Sequence, residues 1–290
     1  MTGETLRRVR QSAGLFALLA LLALAASLLA TGMPRAVNRL TDDALRADVA
    51  RLPHPARDLM LTTRFDTLLE IPESDVPIDL ADGEGRLASY ERGLPAPLPG
   101  LIGQRWFAAS VGPPGVTTIV PSGPRTELGL RVQTGVREAS RLTAGRWPAS
   151  EPGGAAEVAV SETIATKLGL APGRTLELGG PAGGVVVVVV GIWAPRDAGE
   201  PVWDDMPLAL DTPWPMPEAP FQAVAVTDPV GLTTAARALR QLRYAWRYRV
   251  DERRLDGALL DRAIAAATTA RRVPPRDGLL AQPVVTSTGL

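Results

Sequence analysis

Between Arg10 and Arg35 the chain carries no charged residue, which leaves 24 uncharged positions from Gln11 to Pro34 and a dense apolar core from Ala13 to Met33. A helix of ~20 residues rises ~30 Å, the thickness of a bilayer's hydrocarbon core. Leu15, Phe16, Leu18, Leu19, Leu21, Leu22, Leu24, Leu28 and Leu29 point in every direction around such a helix. No polar face remains for a surface-lying amphipathic helix, so the segment reads as a transmembrane helix. A cleaved leader is the other reading, with Arg7, Arg8 and Arg10 as its basic start and a small-residue site at Ala23-Leu24-Ala25. The apolar run exceeds the ~7–15 residues of a leader's core, which favours the anchor. Arg35, Arg39, Arg46 and Arg51 follow the span, so a simple charge count does not orient it. A short basic amino terminus stays in the cytosol and long domains translocate regardless of charge, which places residues from 34 onward outside. Val185 to Trp193 is the next most apolar stretch; it is too short to span and reads as a strand.

Composition removes most enzymatic classes from the remainder. There is no Cys, so disulfides, thiolate metal sites and Cys nucleophiles are impossible within the chain. The single His, His54, lies between two prolines, and a Ser-His-Asp triad or a multi-His metal site would rest on it alone. The single Lys, Lys167, precedes Leu168, whereas a phosphate-binding P-loop needs Lys followed by Ser or Thr. With 31 basic and 31 acidic residues the chain has no electrostatic reason to bind nucleic acid.

Beyond the span, Val37, Leu40, Leu45, Val49 and Leu52 recur at helical spacing, with Thr41 as a cap and Asp42 and Asp43 in a first turn. Residues 34–52 therefore read as a helical stalk, kinked or restarted near Thr41 and ended by Pro53 and Pro55. Strands are expected at Asp58 to Thr63, Val116 to Val120 and Glu127 to Thr134. In the last of these Leu128, Leu130 and Val132 alternate with Gly129, Arg131 and Gln133, the signal of a half-buried strand. Pro95, Pro97, Pro99 and Gly100 mark a loop. The block 156–194 is the best punctuated. Glu157 to Val160 reads as a strand, Ser161 as the cap of a helix from Glu162 to Leu168, Gly169 as its terminator and Pro172-Gly173 as a turn. Arg174 to Leu178 then alternates, and Val185 to Trp193 reads as a buried strand. Eight prolines lie between Pro195 and Pro229, an irregular surface stretch. A strand at Phe221 to Thr227, a helix at Leu232 to Leu242, a strand at Tyr244 to Val250 and a helix at Leu255 to Arg272 complete an α+β domain of one or two lobes.

No constellation of residues carries catalysis, and no catalytic, cofactor-binding or metal-binding residue is expected. Asp79, Asp82 and Glu84 around Gly83 lack calcium-loop spacing and read as a solvated turn. Asp204-Asp205 beside Trp203 reads as a turn with exposed acids. A Ser/Lys pair built on Lys167 would use a surface lysine near a helix end. Charge is unevenly spread: residues 195–230 sum to −6 and residues 235–272 to +6, two faces that neutralise each other or dock a partner or lipid headgroups.

Four stretches, in this order, resemble FtsX/MacB-like ABC-transporter permeases of the actinobacterial type. They are Thr31-Gly32-Met33-Pro34-Arg35 with Asn38-Arg39-Leu40 and Asp42-Asp43-Ala44-Leu45-Arg46; Gly145-Arg146-Trp147-Pro148; Val158-Ala159-Val160-Ser161-Glu162 through Leu168-Gly169-Leu170-Ala171-Pro172-Gly173 to Val190-Gly191-Ile192; and Tyr248-Arg249-Val250-Asp251. The resemblance implies a cytoplasmic terminus at 1–12, a span at 13–33, a stalk at 34–52 and a MacB-like extracytoplasmic core domain at 53–272. Residues 273–290 would then be a linker toward a second span that the chain lacks. It further implies a non-catalytic membrane subunit, truncated or split. Its partners would be a separate ABC ATPase subunit, further permease chains or spans, and membrane lipid. The outer domain would couple conformational change to export or extraction of lipids, lipoproteins, peptides or drugs. A membrane-anchored extracellular binding or adaptor domain without a transport role is the alternative.

Overall fold

Six consecutive valines, Val185 to Val190, favour an extended chain because β-branched side chains fit a pleated surface. They form part of a long strand, β8 (Gly183–Pro195). The two faces of β8 are packed unequally: Val185, Val187 and Val189 are buried, while Val186 is 46% exposed and Val188 and Val190 are half-buried. The expectation of a fully buried strand fails here, because an unbroken run of one residue type carries no face information. The opposite happens at β4 (Arg125–Gln133). Its sequence alternates, yet Thr126 to Leu130 are all buried, so both faces are covered, with α8 packed against the strand.

The structure, a computed structural model, describes residues 21, 24, 27, 39–64, 80–112, 117–119, 125–180, 183–211, 220–272 and 284–286. Most of the apolar stretch 13–33 lies outside these residues; Leu21, Leu24 and Ser27 are helical and exposed. Among the described residues no helix is long and apolar enough to cross a membrane. The described residues fall into two compact units, those within Met1–Leu52 and Glu252–Arg262, and those within Pro53–Asp251 and Ala263–Leu290.

In the first unit, residues 39–51 form one helix, α1. It runs through Thr41 without a break, so Thr41 is not its cap. Asp42 instead accepts the backbone N–H of Gly257 at 2.9 Å, and Arg46 Nε donates to the carbonyl of Leu255 at 2.9 Å. A stretch of chain more than two hundred residues away in sequence is thereby clasped to α1.

The second unit is built on eleven strands in one sheet. The remaining strands are β1 (Leu59–Arg64), β2 (Ile102–Val111), β3 (Thr117–Ile119), β5 (Ser140–Gly145), β6 (Ala156–Ser161), β7 (Thr175–Gly180), β9 (Phe221–Thr227), β10 (Arg243–Val250) and β11 (Val284–Thr286). Their order is β11-β1-β10-β2-β4-β3-β7-β8-β6-β9, with β5 on β8. Because β9 also pairs with β4 in parallel, the strands β4-β3-β7-β8-β6-β9 close into a ring. Closure removes edges that would otherwise offer unpaired backbone groups. A second lobe with its own sheet is absent among the described residues; the four strands beyond β4 extend the same sheet. Three of the strands, β2, β5 and β11, have no counterpart in the sequence reading, which places residues 284–286 in a linker. β2 was hidden because its apolar and polar residues do not alternate, and β5 because it is short and largely exposed.

The helices are α2 (His54–Arg57), α3 (Leu80–Gly85), α4 (Leu87–Gly93), α5 (Leu98–Leu101), α6 (Glu162–Leu168), α7 (Pro207–Leu210), α8 (Pro229–Leu239) and α9 (Gly257–Arg272). α6 has the expected bounds: Ser161 Oγ accepts the Ile164 N–H, and Gly169 ends the helix in the left-handed conformation at φ 61°. α3 corrects the turn expected around Gly83. Asp82 lies in a helix there and pairs with Arg86, while Asp79 lies outside the described residues. The proline-marked loop contains a short helical turn, α5. α8 packs on β2, β4, β6 and β8 through Leu232, Ala235, Ala236 and Leu239, the apolar stripe of an amphipathic helix. The main core continues under α3 and α4, where Trp246 stands edge-on to Tyr90 at 5.0 Å and its indole N–H donates to the Gly83 carbonyl at 2.6 Å.

Two glycines of separate sequence motifs meet in this sheet. Gly145 has φ 70°, and a Cβ there would sit 2.1 Å from the Val190 carbonyl oxygen; a Cβ on Gly191 would sit 2.1 Å from the Arg146 oxygen. Gly145→Ala should therefore cost more than the ~1–2 kcal/mol of a left-handed L-residue alone. Gly153, at φ 80° with open space around it, supplies the control. Gly153→Ala should lose only the conformational part, and equal urea-unfolding midpoints for the two variants would show that the contact is not rigid.

Candidate functional site

β10 places Arg247 opposite Met60 of β1 and Trp106 of β2, with its side chain 1% exposed. A buried guanidinium must be both paired and hydrogen-bonded. Arg247 Nε donates to Asp58 at 2.7 Å, one terminal nitrogen to Asp204 at 2.8 Å, and the other to the Pro201 carbonyl at 2.8 Å. Asp205 lies 3.4 Å from the same group, and the guanidinium rests over the Trp106 ring at 4.9 Å. Arg57 Nε donates to the other Asp58 oxygen at 3.0 Å. Arg131 donates to Asp205 and to Gln133, whose amide in turn donates to the Val202 carbonyl at 2.7 Å. Three arginines thus face three aspartates, and the cluster is neutral. Burial by itself would lower the pKa of Arg247, but Asp58 and Asp205 outweigh it and hold the guanidinium above its ordinary value. Nearby His54 is pushed below its ordinary value, first by burial and then by Arg247.

These contacts correct the reading of Asp204-Asp205 as an exposed turn. The Asp205 side chain is 6% exposed, and both residues are tied by arginine to β10 and β4. Part of the charge asymmetry between residues 195–230 and 235–272 is therefore neutralised inside the domain. Trp203 likewise packs within it, stacked on Trp193 at 5.2 Å. Arg57, Asp58, Arg131 and Arg247 were not read as a cluster because the contacts that assemble it are long-range, spanning 189 residues for Asp58 and Arg247. No local spacing could have signalled them.

Lys167 pairs with Asp211 at 2.6 Å at an exposed position. Glu84 is exposed on α3. Among the described residues no group of three or more His, Asp or Glu is arranged to hold a metal ion. The acids of the buried cluster are committed to guanidinium groups, so the cluster fixes geometry rather than moving protons. Its geometric effect is to pin the segment 201–206 over the sheet.

Beside that segment lies a cleft of about 420 Å³. Its floor is the face of β2, β4 and β9; its walls include Arg131, Asp205, Met206, Leu208, Leu242 and Arg243. A Cβ on Gly112 would sit 2.5 Å from the Gly129 Cα, so two bare backbones touch at the floor.

A second polar centre joins two of the sequence motifs. Arg146 grips Glu157 with two nitrogens, and this ion pair holds the Glu157 carboxyl below its ordinary value. Asp228 caps α8, accepting the N–H groups of Val230 and Gly231 at 2.9 and 3.1 Å, and also accepts the backbone N–H and hydroxyl of Ser150. Burial would raise its pKa, but these four hydrogen bonds together hold it below the ordinary 3.8. A depressed carboxylate contributes stability above that value and loses it as pH falls through the folded one. Asp228→Asn keeps a capping oxygen, since Asn caps as well as Asp, but puts an NH2 where the carboxylate accepts from Ser150, so it should cost about 1.5–3 kcal/mol at neutral pH, the scale of a hydrogen bond to a charged group. The gap from the parent protein, followed by thermal unfolding, should stay constant above pH 3.8 and close below it.

No family model matches the chain, and no curated protein matches it. Among solved structures, a domain described as that of a permease protein from Porphyromonas gingivalis is 12% identical with a TM-score of 0.35, covering 82% of this chain and 92% of that one. The extracellular domain of the noncanonic ABC-type transporter YknZ from Gram-positive bacteria is 13% identical with a TM-score of 0.34, covering 74% of this chain and 91% of that one. At TM-scores this low the likeness decides nothing about fold or function.

Proposed function

We propose that the chain is a non-catalytic membrane subunit of an FtsX/MacB-like ABC transporter, anchored by the apolar segment 13–33 with its α+β domain outside the cytosol. The observation that carries this reading is the clasp on α1. The helix that follows the uncharged segment is held by Arg46 to the Leu255 carbonyl and by Asp42 to the Gly257 N–H. A displacement of the span would be passed through those two bonds to chain far along the sequence, which is what a transporter needs when ATP is hydrolysed elsewhere. The order of the four family-like stretches supports it. So does the meeting of the Gly145-Arg146 motif with Gly191 of the third stretch and with Glu157, the residue just before that stretch. An ATPase subunit and further spans would be its partners, and the cargo class follows the family.

The full chain should stay with membranes after alkaline carbonate washing. Because it contains no Cys, single cysteines introduced at Thr2 and at exposed Ala88 should react with an impermeant maleimide only at Ala88 in intact cells. Release into the soluble fraction, or labelling at Thr2 alone, would reject the reading.

A further inference from the structure

His54 is the chain's only histidine, and Cys is absent, so it is the one side chain whose ordinary titration falls between about pH 5 and 8. It opens α2, whose last residue, Arg57, belongs to the buried ion cluster through Asp58 and Asp204. α2 packs against β10, the strand that carries Arg247. The His54 carbonyl accepts the Asp58 N–H at 2.8 Å, which places the two residues one helical turn apart. His54 is half-buried, and its Nδ1 is covered with no hydrogen-bond partner among the described residues. The charged groups facing it are Arg247 from β10, Asp58 from the end of α2, and Asp204 and Asp205 from the segment 201–206.

These acids are not equally free to answer a new cation. The Asp58 side chain is 1% exposed and held by Arg57 and Arg247; that of Asp205 is 6% exposed and held by Arg131 and Arg247. Asp204 is 33% exposed, with Arg247 at 2.8 Å and Arg57 at 3.5 Å, so it can turn with the least loss of burial. Three arginines and three aspartates balance while His54 is neutral, and an imidazolium adds an uncompensated charge beside Arg247. We infer that His54 is an acid switch on the 201–206 segment: its imidazolium draws Asp204 away from Arg247 and loosens the segment's tie to β10. Burial and then Arg247 hold His54 below its ordinary 6.5 in the closed arrangement, which therefore binds fewer protons than an open one. The closed arrangement keeps its full stability above pH 6.5 and loses it as pH falls from there through the folded value. Over that window the opening constant rises by at most ~10-fold per pH unit, the limit for a single proton. The inference does not depend on the transport reading; an adaptor domain would carry the same switch.

The full chain in lipid nanodiscs, labelled with carbon-13 at histidine Cε1, gives a single imidazole signal in NMR spectra. Its titration midpoint should lie below 6.5. The midpoint should fall further in Asp204→Asn, which removes an acid that favours the imidazolium. Hydrogen–deuterium exchange, corrected for the intrinsic pH dependence of amide chemistry, reads the segment itself. Peptides covering 201–206 should exchange up to ~10-fold faster at about pH 5.5 than at about pH 7.5, while β6 keeps its protection. In His54→Gln, which stays neutral, the exchange of 201–206 should be equal at both pH values. The parent protein's titration and exchange decide the matter even where a variant fails to fold. A midpoint at or above 6.5, an unmoved midpoint in Asp204→Asn, or exchange in 201–206 that ignores pH would overturn the switch. An equal acid response in His54→Gln, or an acid response shared by β6, would do the same.

Discussion

Arg247→Ala should lose about 3–5 kcal/mol of unfolding free energy, the cost of removing one partner from a buried ion cluster. Against a total stability of about 5–15 kcal/mol this is a third or more of what holds the domain. The loss comes less from the missing attraction than from what remains. Asp58, 1% exposed, would keep only Arg57, and Asp204 and Asp205 would lose their tie to β10. The Pro201 carbonyl would also lose one of its two donors, keeping the Asp204 N–H at 3.3 Å. Arg247→Lys keeps the charge but not three directed donors, and it should fall between the parent protein and Arg247→Ala. Replacing both partners, Arg247→Met with Asp58→Leu, should recover part of the loss, because the most deeply buried orphan is then gone. Urea unfolding of the full chain followed by tryptophan emission gives all four values. A cost below ~1 kcal/mol for Arg247→Ala would mean that the cluster behaves as a solvated surface network.

Why this cluster was invisible in the sequence, while α6 was legible to the residue, is a matter of range. Ser161, the following helical turns and Gly169 are a local code: a hydroxyl that accepts an N–H three residues on, and a residue for which the left-handed conformation is cheap. The strands β6, β9 and β10 were legible for the same reason, since β-branched and aromatic runs are bounded by turn residues. Which faces they bury was not. Strand burial depends on what the sheet is packed against, and the ring closed by the β4–β9 pairing joins segments about ninety residues apart. Hence β4 alternates in sequence and is covered on both sides, whereas the uniform valines of β8 are fully covered on one side and partly on the other. The same limit applies to the site. The acids at 204–205 were noticed as a pair, but only tertiary contact with Arg131 and Arg247 turns them from exposed charge into a pin for the cleft wall.

Trp246→Ala should cost about 3–5 kcal/mol, as expected for deleting a large aromatic from a packed core. Trp246 is fully buried on β10, next in sequence to Arg247, and its side chain points to the opposite face of the sheet. There it fills the space between Tyr90, Phe107 and Tyr244 and donates to the Gly83 carbonyl at 2.6 Å. That bond matters because it ties α3 to the sheet, and a Cβ on Gly83 would already meet the Phe107 ring at 2.7 Å. Two effects therefore add in Trp246→Ala: a cavity, and a buried carbonyl left without its donor. Trp246→Phe separates them. It keeps most of the aromatic packing and removes the N–H, so it should lose about 1–3 kcal/mol, the cost of an unsatisfied buried acceptor plus a smaller void. If Trp246→Phe were as damaging as Trp246→Ala, the hydrogen bond to Gly83 would dominate; if it were neutral, packing alone would. In either variant the losses should be additive with Asp228→Asn within ~0.5 kcal/mol, because the α8 cap shares no partner with this aromatic cluster. Additivity with Arg247→Ala should fail, since adjacent residues of one strand hold the two faces of β10 in the same register.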